Sequence, residues 1–144
     1  MIAMPDGRQL ADRVLDAVNA HDLDRLSTYY DRHAVLVTPF GVCEGREQIV
    51  RYWQRMFKGF TDLTMTVWNR VECADPGFSE WTMTGTHTGS FTLQDGDLAG
   101  ASGRRITVRG CGACHAKDGL VVAHRDYFDL LELYSQLGFS LVPG

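Results

Sequence analysis

The chain has 144 residues, 44% of them hydrophobic and 22% charged, with a formal net charge of −4. That length suits a single domain, residues 1–144, with a core of its own. The acidic balance speaks against a general nucleic-acid binder, which carries a basic stripe. No apolar run of roughly 18 residues is present, so no membrane-spanning helix is expected. The first ten residues carry Asp6 and Arg8 and lack the apolar stretch of a secretory signal, so the expected compartment is the cytoplasm. In that compartment Cys43, Cys73, Cys111 and Cys114 are expected as reduced thiols rather than a disulfide framework.

In chain order, Leu10, Val14, Leu15 and Val18 recur at helical spacing up to the junction His21-Asp22. Leu23, Leu26 and Tyr30 give a shorter helical stripe. Ala34 to Thr38 is a β-branched run closed by Pro39 and Gly41. Ile49, Tyr52, Trp53, Met56 and Phe57 form one broad apolar face of a third helix, ended by Gly59.

From Leu63 the period changes to two, and Asp75-Pro76-Gly77 supplies a turn. One long strand is expected over Ser79–Leu93, then a loop over Gln94–Gly103. Strands over Arg105–Ala116 and Leu120–Phe128 meet at Asp118-Gly119, a two-residue hairpin signal. Leu130 to Leu137 reads as a short final helix, with Asp129 as its N-cap. Helices followed by a long meander imply an α+β fold, a curved sheet over the long helix with a cavity between them.

Several segments together resemble the nuclear-transport-factor-2-like superfamily and, within it, the SnoaL-like polyketide cyclases. They are His21-Asp22-Leu23-Asp24, Thr38-Pro39-Phe40-Gly41 with Glu44-Gly45-Arg46-Glu47, and Glu80-Trp81-Thr82 through Gly85-Thr86-His87-Thr88-Gly89. Arg125-Asp126-Tyr127-Phe128-Asp129 and Gln136-Leu137-Gly138 complete the ordered set. The resemblance implies a cone-shaped α+β fold, a curved mixed or antiparallel sheet wrapped on three N-terminal helices with a short C-terminal helix. It also implies no metal or organic cofactor, an aromatic polyketide-like substrate and a homodimer, for which the convex sheet face with Arg125 and Tyr127 is the candidate interface. SnoaL-like cyclases close a ring by intramolecular aldol condensation with a carboxylate acid/base. The superfamily's other chemistries, namely hydroxylation, isomerisation and dehydration, and its non-catalytic binding modules, stay open as alternatives.

Alternation puts Val122, His124, Asp126 and Phe128 on one face of the last strand. Counting back from Asp118-Gly119 pairs His115 with Val122, Ala113 with His124, Cys111 with Asp126 and Arg109 with Phe128. One inner face would thus collect Arg109, Cys111, His115, His124 and Asp126. A carboxylate between Val122 and Phe128 is partly desolvated, which favours proton exchange near neutrality, so Asp126 is the candidate acid/base and His124 its modulator. The competing reading is a structural ion pair. His87, on the face of Trp81 and Met83, is the third candidate catalytic group. Trp53, Phe57, Trp81, Met83, Arg109, Cys111 and Phe128 are the candidate substrate contacts.

Asp126 also matches an aspartate of the limonene epoxide hydrolase branch, whose other polar positions align with Val35, Val37, Trp81 and Met83 here. That mechanism is therefore not expected. Cys111-Gly-Ala-Cys114-His115 matches a haem-attachment pattern, but alternation sends the two cysteines to opposite faces. Cys111, His115 and His124 are too loose a set for zinc, so no metal is expected.

Overall fold

The computed structural model describes residues 3–92 and 98–144. Helix α1 (Gly7–Asn19) starts on a capping box: Gln9 N–H donates to the Asp6 carboxylate, and Asp6 N–H donates to Gln9 Oε1. Its first turn lies directly on the sheet, because a Cβ at Gly77 would collide with the backbone of Gly7. At its other end Asn19 exchanges two hydrogen bonds with the backbone of Met65. Helix α2 (Leu23–Tyr29) is capped by Asp22.

Strand β1 (Tyr30–Thr38) starts earlier than the β-branched run suggests. Tyr30 leaves the helical stripe and becomes its first residue. Pro39 and Phe40 form a tight turn into β2 (Gly41–Glu44), a strand that the breakers Pro39 and Gly41 concealed. Helix α3 (Arg46–Gly59) buries the expected face of Ile49, Tyr52, Trp53, Met56 and Phe57. Each such side chain contributes about 1.5–3 kcal/mol.

Strands β3 (Thr64–Val71), β4 (Gly77–Thr86), β7 (Arg105–Lys117) and β8 (Leu120–Phe128) complete a six-stranded sheet in the order β2-β1-β8-β7-β4-β3. Only β1 and β8 run parallel. The long strand expected over Ser79–Leu93 ends at Thr86, and Phe91–Thr92 (β5) pairs instead with Leu98–Ala99 (β6) in a separate ribbon. The expected loop Gln94–Gly103 therefore contains a strand; its part up to residue 97 lies outside the described residues. Helix α4 (Leu130–Gln136) is capped by Asp129, which accepts from Leu131 N–H. Gln136 pairs with both backbone groups of Thr107, closing the part of β7 that extends past β8.

The fold is mixed α+β with a curved, unclosed sheet. Its concave side faces α1 and α3 across a core that includes Trp53, Trp81, Ile106 and Val121. Among the described residues no helix is long and apolar enough to cross a membrane.

Candidate active site

The Asp118-Gly119 turn has positive φ at both residues and pairs Lys117 with Leu120, as its sequence dictates. Directly after it β8 bulges. Ala116 faces Val121 and His115 faces Ala123, leaving Val122 as the extra residue. Every pairing beyond the bulge is one residue away from the simple count. Cys114 faces His124, Gly112 faces Asp126 and Gly110 faces Phe128.

The shift matters because of side-chain size. A Cβ at Gly112 would overlap the Asp126 carboxylate, and one at Gly110 would lie 2.5 Å from the Trp81 ring. The two glycines are the space into which the carboxylate and the indole fit. Across the sheet this makes an inward row of Ser79, Gly112 and Asp126, with a neighbouring row of Gly77, Cys114, His124 and Leu36.

Asp126 and His124 are both buried. His124 Nε2–H donates to Asp126 Oδ1 at 2.9 Å. On the other side of the ring His124 Nδ1 lies 2.9 Å from the hydroxyl of Tyr30, which also receives Trp53 Nε1–H at 3.4 Å. Burial opposes a charge on His124, but the Asp126 carboxylate and, to a lesser degree, Cys114 and Tyr30 outweigh it. The imidazole is thereby held well above the ordinary histidine range. As an imidazolium it donates from both nitrogens. Once neutral, Nδ1 accepts and the Tyr30 hydroxyl turns to donate. Tyr30 keeps its proton, because burial pushes its phenol up.

Trp53, His124 and Asp126 line a cavity of about 20 Å³, space for roughly one water. Ala11, Val14 and Leu15 of α1 roof it, and Ser79, Trp81, Cys114, His124 and Asp126 are among the residues that wall it. A carboxylate, an imidazole and a hydroxyl converge there on otherwise mainly apolar walls. Such a set can move a proton and hydrogen-bond an oxygen.

Of the expected site residues, Asp126, His124, Trp53 and Trp81 reach this cavity. His87 does not. It follows the far end of β4, where the Ser102 backbone N–H donates to its Nδ1, and its buried Nε2 has no hydrogen-bond partner among the described residues. Phe57 stacks on His21 at 4.2 Å between ring centroids. Met83 is core, and Phe128 sits one layer beyond Trp81, 6.3 Å away between ring centroids.

The bulge puts Arg109, Cys111 and His115 on the convex face. Arg109 is 79% exposed and faces Glu132 at 3.6 Å, while His115 accepts from Arg125 Nη2. A zinc set of Cys111, His115 and His124 is thus split across the sheet. Cys111 and Cys114 also lie on opposite faces, as alternation requires. Val35 and Val37 face outward too. The inward residues of β1 are Tyr30, Ala34, Leu36 and Thr38, whose hydroxyl accepts from Phe40 N–H.

Sequence reasoning missed Tyr30, Ser79, Cys114 and the two glycines. Ser79 was in reach, two residues before Trp81 on an alternating strand. The spacing Gly110-x-Gly112 opposite an inward carboxylate was a second signal.

The family model for the SnoaL-like domain matches residues 11–124. No curated protein matches the chain. Among solved structures, a protein of Jannaschia sp. CCS1 provisionally named a SnoaL-like polyketide cyclase superposes with a TM-score of 0.80 at 20% identity, covering 98% of this chain and 99% of its own. AclR of Streptomyces galilaeus, provisionally a hydroxylase, gives 0.78 at 23% identity over 98% and 87%. TsrD of Streptomyces laurentii gives 0.76 at 29% identity over 90% and 92%.

Proposed function

Because the chain belongs to the SnoaL-like domain family, we propose that it is a cofactor-independent enzyme that tailors polyketides, an aldol-type cyclase with Asp126 as its acid/base. The observation that carries this reading is a buried carboxylate, hydrogen-bonded to a buried histidine, in a small cavity with mainly apolar walls. In the reaction Asp126 takes a proton from the carbon next to a carbonyl. The resulting enolate carbon bonds to a second carbonyl carbon, and the alkoxide recovers the proton from Asp126. His124 stabilises the ionised carboxylate, and the Ser79 hydroxyl hydrogen-bonds the developing oxyanion. His87 and Arg109 have no part in this scheme, because neither lines the cavity.

The cavity admits one water, so a polycyclic substrate requires α1 or the flanking indoles to give way. That size favours a second reading, a non-catalytic module that binds a small apolar ligand. Ring closure of an aromatic poly-β-ketone by the wild-type chain and by Asp126→Asn separates the two. The enzyme reading expects a fall of about 10²–10⁴-fold in the variant with ligand binding retained. Binding without turnover in the wild type would establish the module instead. Product analysis in the same assay distinguishes cyclisation from hydroxylation, isomerisation or dehydration. The reading also takes the protein as a homodimer joined through the convex face, where Tyr127 is 54% exposed. A monomer in sedimentation equilibrium would remove that part.

A further inference from the structure

Trp81 spans two glycines of β7. A Cβ at Gly110 would meet the six-membered ring of the indole, and one at Gly112 would lie 3.4 Å from its Nε1 and overlap Asp126 Oδ1. The glycines thus set the indole along β7 with its nitrogen end at Gly112, beside the carboxylate. On the other side of Gly112 stands Ser79, its partner on β4, as Asp126 is its partner on β8. The missing side chain leaves a gap among an indole N–H, a hydroxyl and a carboxylate.

Trp81, Ser79 and Asp126 are buried, with 2%, 7% and 4% exposed. Asp126 Oδ1 accepts from His124, but Trp81 Nε1, Ser79 Oγ and Asp126 Oδ2 have no hydrogen-bond partner among the described residues. Among those residues the one fully enclosed polar side-chain atom without a partner is His87 Nε2, so these three atoms border open space. All three residues line the cavity of about 20 Å³. The other two indoles differ, because Trp53 Nε1–H donates to the Tyr30 hydroxyl and Trp68 is exposed. A buried N–H without an acceptor is costly, and the gap beside it is where an acceptor fits.

The groups around the gap select its occupant. An indole N–H only donates and the hydroxyl can donate beside it, so the atom they share is an acceptor. The carboxylate alongside repels a second anion, so that atom belongs to a neutral group. About 20 Å³ holds one oxygen and not a ring. The rest of the molecule then lies towards the α1 roof, where Ala11 and Leu15 are only half-buried.

We propose that Trp81 Nε1–H and Ser79 Oγ–H together hold the carbonyl oxygen of a neutral ketone in the gap at Gly112, with the carbon next to that carbonyl turned to Asp126 Oδ2. Trp81 is then a catalytic donor and not merely an apolar wall. As the C–H bond breaks, its proton passes to Asp126 and its electron pair moves onto the oxygen that both donors already hold. The inference rests on the enzyme reading above and gives its substrate class, an uncharged ketone with an acidic C–H beside the carbonyl.

2-Tetralone and tetralin, which has the same shape without the oxygen, are suitable probes, titrated against the full chain. In the proton–nitrogen NMR spectrum the assigned Trp81 indole N–H signal should move downfield with the ketone and stay in place with tetralin. The ketone is expected to bind at least about tenfold more tightly. Ser79→Ala should weaken the ketone about fivefold and leave tetralin unchanged. Trp81→Phe should narrow the preference similarly, with tetralin correcting for the lost ring area. The wild-type signal and Ser79→Ala test the site even where the smaller ring of Trp81→Phe costs stability. No measurable binding of the ketone, equal binding of the two probes, an unmoved Trp81 signal, or a preference that survives in Ser79→Ala would each overturn the proposal and leave the gap to a water. Deuterium uptake beside the carbonyl of 2-tetralone reads Asp126 separately. Uptake unimpaired in Asp126→Asn would remove the acid/base reading and leave the ketone site standing. Uptake lost in that variant while the wild-type Trp81 signal stays unmoved would do the reverse.

Discussion

The two faces of the β7–β8 hairpin each carry a histidine–aspartate pair, and the pairs differ in surroundings more than in chemistry. Inside, His124 and Asp126 are 2.9 Å apart with side chains 7% and 4% exposed. Outside, His115 of β7 lies 3.7 Å from Asp75 of the turn before β4, with side chains 33% and 44% exposed. Water screens the outer pair, and Arg125 and the Ala116 backbone N–H share its hydrogen bonding. The inner pair lies against the Tyr30 hydroxyl and the mainly apolar walls of the cavity. The same residue types therefore make a solvent-screened contact on one face and a buried, charge-coupled pair on the other, and burial decides between them.

The largest expected effects test that contrast directly. Turnover in Asp126→Asn should fall by about 10²–10⁴-fold, while Asp75→Asn leaves it unchanged. In urea unfolding, His124→Ala leaves a buried carboxylate without its counter-charge and is expected to cost about 3–5 kcal/mol. His115→Ala should cost less than about 1 kcal/mol. Equal losses at the two positions would show that burial is not what separates the pairs.

The raised affinity of His124 for its proton adds a pH signature. Its contribution to stability is fully present below the unfolded value near 6.5 and is lost as pH rises through the higher folded value. Wild type measured against His124→Gln should therefore show a stability difference that declines on the alkaline side. A difference that instead grew with pH would contradict the pairing.

Next in size is Gly112→Ala. The added methyl collides with the Asp126 carboxylate, so overpacking of about 1–3 kcal/mol is expected together with loss of turnover. The same substitution at Gly100, where a Cβ meets nothing within 4 Å among the described residues, should leave both unchanged.

The inner face of β8 was legible because a strand's period is two, so His124 and Asp126 had to share a side. The α3 face, the Asp118-Gly119 turn and the Asp129 cap were legible for similarly local reasons. What failed was long-range registration. The bulge at Val122 has no local signature, and one extra residue sends Arg109, Cys111 and His115 to the convex face. Tyr30 was hidden differently. Its spacing from Leu23 and Leu26 fits a helix, and only the pairing of β1 with β8 brings its hydroxyl to His124. The glycines of β7 read as weak strand residues until the partners that fill their space are known.

Tyr30→Phe is the smallest change and the most informative about how the inner pair is held. The ring keeps its place, roughly parallel to the imidazole at 14° between planes, so packing is nearly conserved. What is lost is the oxygen facing His124 Nδ1, a hydrogen bond worth about 1 kcal/mol. A packing role alone would predict that loss and nothing else. A role in holding the charged imidazole predicts more, because the Nδ1–H of the imidazolium then has no acceptor and the charged form loses support. The alkaline decline in stability of Tyr30→Phe should accordingly begin at lower pH than in the wild type. An unmoved decline would confine Tyr30 to packing and leave Asp126, with a smaller part from Cys114, as the support of the charge on His124.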